Sequence, residues 1–203
     1  MNYGDLKDHF KALLNRSDIT TALTETFIEQ GIRRIQRQLR SPINERKAEY
    51  TISGQTSSVI LPNDFLEIIS LYMGSKELTR VTMSRYRELQ ANNAQGNPEH
   101  FCREQQRLQL HPEPTSGTLT LYYYCDFPAL SANTDTNDLT EVAPDLAIYS
   151  ALTFAADYYF DERGQIFENK YNQFLTELQE QSNDQELNGG TQAIQPAYRF
   201  DGD

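Results

Sequence analysis

Four side chains that could bind a metal ion lie between residues 100 and 125: His100, Cys102, His111 and Cys125. Histidine and thiolate are the usual zinc ligands, and structural zinc sites present them at characteristic spacings. The spacing in this chain matches none of those patterns, and a single His-x-Cys carries little information. We therefore predict no metal site, and we expect Cys102 and Cys125 to be buried free thiols.

Three carboxylates, Asp157, Asp161 and Glu162, fall close together near the end of a predicted helix. Paired carboxylates can act as general acid and base when their neighbours tune them. No histidine, lysine or glycine-rich loop surrounds these three, so a solvated helix end and turn is favoured. The chain also lacks GxGxxG, Walker-type, Gly-x-Ser-x-Gly and His-Glu-x-x-His motifs. We predict that it is not an enzyme and needs no cofactor.

A basic patch, Arg33–Lys47, stands out from an otherwise acidic sequence. Its cationic residues are Arg33, Arg34, Arg37, Arg40, Arg46 and Lys47. Arg33, Arg37 and Arg40 share one face of a predicted helix. That face could contact an acidic neighbour, contact DNA, or be solvated near the negative end of the helix dipole. An alternative function is therefore a nucleic-acid-binding module that uses this patch, with salt-sensitive affinity.

The overall charge argues against general nucleic-acid binding. The net charge is −11, whereas residues 1–47 carry 9 basic and 6 acidic side chains, so the rest of the chain carries −14. An acidic surface repels the phosphate backbone and keeps a protein soluble before assembly. The first residues, MNYGDLKDHF, show no signal-peptide pattern, and no apolar run reaches the length of a membrane span. We expect a soluble protein made in a cytoplasm, with no membrane partner.

Three consecutive tyrosines, Tyr122, Tyr123 and Tyr124, could stack on bases. Base-stacking surfaces usually interleave aromatic and basic residues. No lysine or arginine occurs between Arg107 and Arg163. Packing in a sheet or at a protein interface is therefore the favoured interpretation of these tyrosines.

The elements that would position these residues follow from periodicity. Apolar spacing predicts one helix around Leu6–Leu14 and a second over Thr21–Leu39, where Gly31 is expected to permit close helix packing. Short alternating segments then predict strands, with a short helix at 84–92. Helical spacing returns at 144–161, which is apolar on most sides, and at 163–182. The predicted strand segments are KAEYTIS, SSVIL, LEIISLYM, ELTRVT, RLQLHP and TLTLYYYCDF.

This order predicts an α+β fold. The N- and C-terminal helix pairs, 1–46 and 140–183, would form a four-helix bundle. Residues 47–139 would form a β-rich insertion lobe, and 184–203 an extended C-terminal tail. The tail cannot build a core of its own. It is either a frayed terminus or a docking peptide anchored by Ile194, Tyr198 and Phe200.

Several stretches resemble the head-to-tail adaptor (connector) proteins of short-tailed phages. They include YGDLKDHFKALLNRSDI, FIEQGIRRIQRQLR, LPNDFLEIISLY and YYYCDFPALSANTDTNDLTEVAPDLAIYSALTFAADYYFDERGQIFENKYNQFLTEL. The run from YYY through PALS and PDL to the DER turn is the most specific part. The resemblance covers nearly the whole chain and rests on structural signatures. The polar region 83–97 departs from the pattern, which leaves its contacts undefined.

The resemblance implies a structural virion protein below the portal vertex, made in the host cytoplasm. Family members form homo-oligomeric rings, usually of twelve copies. They join the portal to tail nozzle or tail fibre proteins and let genomic DNA pass without sequence-specific binding. The C-terminal segment of such proteins binds the portal, so Ile194, Tyr198 and Phe200 are the expected portal anchors. Arg33, Arg37 and Arg40 are expected at a subunit interface or the channel.

Overall fold

The chain divides into two compact units, one helical and one built mainly from strands. The computed structural model describes residues 1–91 and 94–187, with the backbone alone from 182 onwards. The helical unit comprises Met1–Ser41 and the chain from Ala143, and the β unit comprises Pro42–Val142. The predicted α+β class is confirmed. The four-helix bundle and the extended tail stay predictions.

Six helices occur in the described residues, and a 3₁₀ turn follows the second at Pro42–Asn44. The helices are α1 (Tyr3–Leu14), α2 (Thr21–Gln38), α3 (Met83–Gln90), α4 (Asp138–Val142), α5 (Pro144–Tyr159) and α6 (Gly164–Leu187). The strands are β1 (Glu45–Ser53), β2 (Ser58–Ile60), β3 (Phe65–Met73), β4 (Lys76–Glu77), β5 (Thr79–Arg80), β6 (His100–Glu104), β7 (Arg107–His111) and β8 (Ser116–Cys125).

Local capping explains where the first two helices begin and where the first one ends. The side chain of Asn2 accepts a hydrogen bond from the Asp5 amide at 2.8 Å, and Thr20 caps α2 in the same way. Asn15 ends α1 in the left-handed conformation, with φ at 54°. These signals are local, which is why the sequence predicts both helices well.

Helix α5 lies at the centre of the helical unit and packs against α1, α2 and α6. Pro144 occupies its first turn, where a missing amide hydrogen costs nothing. Half of its residues are buried, in agreement with the apolar character predicted from the sequence. The buried residues are Leu146, Ala147, Ile148, Ser150, Ala151, Leu152, Ala155 and Ala156.

Helices α2 and α5 approach each other closely at Gly31. The Ser150 hydroxyl donates to the Gly31 carbonyl oxygen at 3.0 Å. A Cβ atom on Gly31 would lie 2.7 Å from the Ala151 amide nitrogen. Real side chains do not tolerate so short a contact with backbone, so the expectation that Gly31 permits close helix packing is confirmed.

The β unit contains two four-stranded sheets, ordered β1-β8-β3-β4 and β2-β7-β6-β5. Strand β8 pairs with both β1 and β3 in antiparallel register. Its alternate residues Leu119, Leu121 and Tyr123 are buried, as the alternation predicts. The core of the β unit combines side chains from both sheets. Its largest fully buried members are Leu71, Leu108, Leu110, Leu119 and Leu121.

Some elements differ from the sequence prediction. Strand β6 was not predicted, because HFCRE has no alternation of its own and is recognised by its pairing with β7. Helix α4 was not predicted as a helix of its own. The segment ELTRVT contributes only the two-residue strand β5 and the end of β4. Helix α6 runs beyond the predicted end at 182 to Leu187, so its last residues overlap the start of the predicted tail.

Candidate functional site

The three arginines predicted to share a face have different surroundings in the helical unit. Arg33 is exposed, and its guanidinium bonds the Glu29 carboxylate one turn earlier at 2.6 Å. Arg40 follows α2, is half-buried, and donates to two main-chain carbonyl oxygens at the end of that helix at 2.7 and 3.0 Å. It thereby donates hydrogen bonds to carbonyl oxygens that have no partner within the helix at its C-terminal end. Arg37 is exposed in the last turn.

Arg34, which the sequence does not distinguish from its neighbours, joins three helices. Its guanidinium forms two hydrogen bonds with the Glu168 carboxylate, at 2.6 and 2.9 Å, and one with the Thr153 hydroxyl at 3.1 Å. It also lies over the buried ring of Tyr171, 4.0 Å from the centroid. The hydrogen bonds from Arg34 lower the pKa of Glu168. Because Glu168 is 134 residues away in sequence, no local pattern could reveal this role.

The basic patch Arg33–Lys47 is divided between the two units. In the β unit, Arg46 bonds Asp138, and the Lys47 ammonium lies 2.6 Å from the Glu49 carboxylate. Most cations of the patch thus have acceptors within their own unit. Arg37 is the patch residue for which residues 1–91 and 94–187 provide no hydrogen-bond or ion-pair partner. This pairing leaves few cations for DNA phosphates, which weakens the nucleic-acid alternative.

Three of the four potential metal ligands lie in one sheet, and the fourth lies in the other. His100 and His111 face each other across β6 and β7, while Cys125 ends β8 in the other sheet. Both cysteines are free and buried, as predicted. Burial raises the pKa of the Cys102 and Cys125 thiols, which makes them poor nucleophiles. Across the described ranges, no three His, Cys, Asp or Glu side chains come close enough together to hold a metal ion.

The tyrosine run alternates across β8. Tyr123 is buried, and its hydroxyl donates to the Asp64 carboxylate at 3.1 Å. Burial and that carboxylate raise the pKa of Tyr123 to about 12. Tyr122 lies on the opposite face, where it is 40% exposed and lies opposite Lys47 in the register. Since the Lys47 ammonium already bonds Glu49, this face does not offer the free cations that a base-stacking platform requires.

The turn between α5 and α6, residues 160–163, contains two of the three candidate carboxylates. Arg163 bonds the Asp161 carboxylate, with a shortest distance of 2.6 Å. Its guanidinium also donates to the carbonyl oxygens of Leu13 and Leu14 at 3.2 and 2.8 Å. The DER run therefore caps the end of α1 from a distant part of the chain. Asp157 and Glu162 are exposed, in keeping with a solvated helix end.

Acid should weaken this cap. Hydrogen bonds from the Arg163 side chain and amide lower the pKa of Asp161 to about 2, from an ordinary value of 3.8. A lowered folded-state pKa contributes stability above pH 3.8, and the contribution is lost as the pH falls towards 2. We expect Asp161→Asn to reduce the free energy of unfolding at pH 7 by at most about 1 kcal/mol, because Arg163 is well exposed.

The measurement is urea unfolding of wild type and Asp161→Asn between pH 2 and 7. The difference between the two proteins should shrink below pH 4. Glu162→Gln, a change at the exposed adjacent residue, serves as control and should follow the wild-type pH profile. A pH-independent difference would contradict the assignment.

The fold defines a class of α+β protein in which a β-rich unit is inserted between helices, and its prominent side chains suit fold stabilisation and protein contacts. A family model described as SU10 adaptor protein matches residues 1–195, and the chain belongs to that family. A search of the curated proteins found no match. The resemblance to phage head-to-tail adaptors is thereby confirmed. Membership makes the protein a structural adaptor of the phage virion and implies interaction with portal and tail proteins.

None of the helices within residues 1–91 and 94–187 is both long and apolar enough to cross a membrane. The predicted portal anchors Ile194, Tyr198 and Phe200 lie outside the described residues.

Proposed function

We propose that this chain is a non-enzymatic head-to-tail adaptor that assembles with copies of itself into a ring joining the portal to the tail nozzle or tail fibre proteins. The observation that carries the proposal is the family match, which extends over residues 1–195 and so includes both units. Twelve copies is the number that the resemblance implies. A ring of identical contacts requires two different surfaces on each copy, one for each neighbour.

The charge of the chain supports passage of DNA through such a ring. A net charge of −11 gives little attraction for the phosphate backbone. DNA can therefore move along the channel without being retained. The alternative function, a nucleic-acid-binding module based on Arg33–Lys47, predicts salt-sensitive binding of duplex DNA by the purified protein. The ion pairs that Arg33, Arg46 and Lys47 form within the protein disfavour this alternative.

The test of the adaptor function is to mix the purified protein with portal rings of the same phage and to image the product by electron microscopy. A second ring stacked on the portal is the expected result. Portal rings that stay bare at micromolar protein concentrations would contradict the proposal. A parallel fluorescence titration with labelled duplex DNA at low salt should show little binding.

The C-terminal residues Ile194, Tyr198 and Phe200 are proposed to anchor the chain on the portal. Three apolar side chains spaced along a polar segment resemble peptides that order on binding. A variant truncated after Leu187, where α6 ends, should keep the wild-type melting temperature and lose portal binding. The matched control replaces residues 188–203 by a scrambled sequence that retains Ile194, Tyr198 and Phe200. Unchanged portal binding by the truncated variant would refute this role.

A further inference from the structure

Phe160 has an unfavourable backbone conformation, and its side chain is almost fully exposed to solvent. It ends α5 in the left-handed conformation, with φ at 55° and ψ at 42°. Glycine is the usual residue at such a position because a Cβ atom is disfavoured there. The Phe160 side chain is 94% exposed. A large apolar side chain exposed in this way is available to contact another molecule.

The surroundings of Phe160 contain an unsatisfied negative charge. A shallow groove of about 310 Å³ lies beside it, between α5 and α6. Three carboxylates contribute to this groove. Arg163 neutralises Asp161, and Arg34 neutralises Glu168. Asp157 is exposed and has no ion-pair partner among the residues that the structure describes. The site therefore offers an aromatic ring beside a free carboxylate.

An arginine is the side chain that this pair recognises best. A guanidinium can lie over an aromatic face while donating hydrogen bonds to a carboxylate. The same arrangement exists within this protein, where Arg34 lies over Tyr171 and bonds Glu168. The partner surface should thus be basic and should present an exposed arginine.

We propose that Phe160 and Asp157 of one copy receive Arg37 from the α2 face of a second copy. Arg37 is exposed in the last turn of α2, and Arg33 lies one turn before it. Residues 1–47 are net basic whereas the remaining residues carry −14, so opposite charges on one chain suit a contact between copies. Each copy carries both halves of the contact, which can repeat around a ring. This inference rests on the proposed adaptor function and names the contact that closes the ring.

A charge exchange between two variants tests the contact. Asp157→Arg alone places two arginines together, and Arg37→Asp alone places two carboxylates together. Each variant should assemble on portal rings with an affinity lower by about tenfold or more, since like charges at an interface repel. In an equimolar mixture the two variants can alternate around the ring. The arginine introduced at position 157 of one variant then faces the aspartate introduced at position 37 of the other, and the unchanged Asp157 faces the unchanged Arg37. The mixture should therefore recover most of the wild-type assembly, measured by mass photometry of the stacked complexes.

Phe160→Gly tests the aromatic half. Glycine is favoured in the left-handed conformation, so the melting temperature should stay the same or rise while assembly on portal rings weakens. Ile60→Ala is the matched control, because Ile60 is also an exposed apolar residue, at 59%, but lies in β2. It should assemble like wild type. Asp157→Asn and Arg37→Gln repeat the charge test with smaller effects, should a reversal disturb folding.

The outcomes separate this contact from the adaptor function. One outcome is that the wild-type protein forms rings on the portal, while the mixture assembles no better than either single variant. This result would overturn the Arg37 contact and leave the adaptor function intact. Wild-type protein that does not associate with portal rings would overturn both. Assembly of Phe160→Gly at the wild-type level would overturn the role of the ring of Phe160.

Discussion

Replacing Gly31 with alanine is expected to lower the free energy of unfolding by about 1–3 kcal/mol, the usual cost of overpacking a well-packed core. In an ordinary helix the same change stabilises by about 1 kcal/mol, so the sign itself is diagnostic. The new Cβ atom would lie 2.7 Å from the Ala151 amide nitrogen and 3.0 Å from its Cα. Backbone atoms cannot rotate away, so α2 and α5 must separate, which also disturbs the Ser150–Gly31 hydrogen bond.

Gly164→Ala is the matched control for this prediction. Gly164 begins α6, and a Cβ atom there would meet the Ala156 Cβ at 3.5 Å, an ordinary van der Waals contact. This variant should be neutral or more stable than wild type. Thermal and urea unfolding of the two variants measures the difference. Equal effects at both positions would show that α2 and α5 do not approach as closely as the structure describes.

The second large effect is expected at Arg34. Arg34→Leu should lower the free energy of unfolding by about 2 kcal/mol, because it removes the guanidinium that donates to Glu168 and Thr153 and the cation over Tyr171. The loss should be smaller than the 3–5 kcal/mol typical of a fully buried ion pair. The reason is that the side chains of Arg34 and Glu168 remain 18% and 36% exposed.

Arg33→Leu provides the control, since its pair with Glu29 is 69% and 63% exposed. Exposed pairs contribute at most about 0.5 kcal/mol in a helix. A double-mutant cycle with Glu168→Gln should give a coupling energy near 1 kcal/mol or more for Arg34 and near zero for Arg33. Similar losses at Arg33 and Arg34 would contradict the assignment of Arg34 as the residue that joins the helices.

Local signals account for the parts of the fold that were predicted. The caps at Asn2 and Thr20, Pro144 in the first turn of α5, and the alternation of β8 depend on residues a few positions apart. Such patterns can be read from one sequence because the forces behind them act within one element. The family match then confirmed what the longer stretches of similarity had indicated.

Pairing between distant residues explains what was missed. Strand β6 becomes a strand through its register with β7, and Arg163 is a cap because it reaches the end of α1. The basic patch was predicted as a unit, but its members differ in their partners. Arg40 donates to carbonyl oxygens at the end of α2, and Arg34 joins three helices. Arg37, in contrast, is exposed.

The sequence by itself determined most of the helix and strand segments, the α+β class, the free thiols and the family, because these depend on periodicity, composition and similarity along the chain. Only the tertiary structure decided which charges remain available to other molecules. Asp157, Asp161 and Glu168 are all carboxylates in the sequence, yet Arg163 neutralises Asp161 and Arg34, from another helix, neutralises Glu168. Whether a charge is free depends on which side chains folding brings within hydrogen-bonding distance, and the order of residues along the chain does not specify those distances.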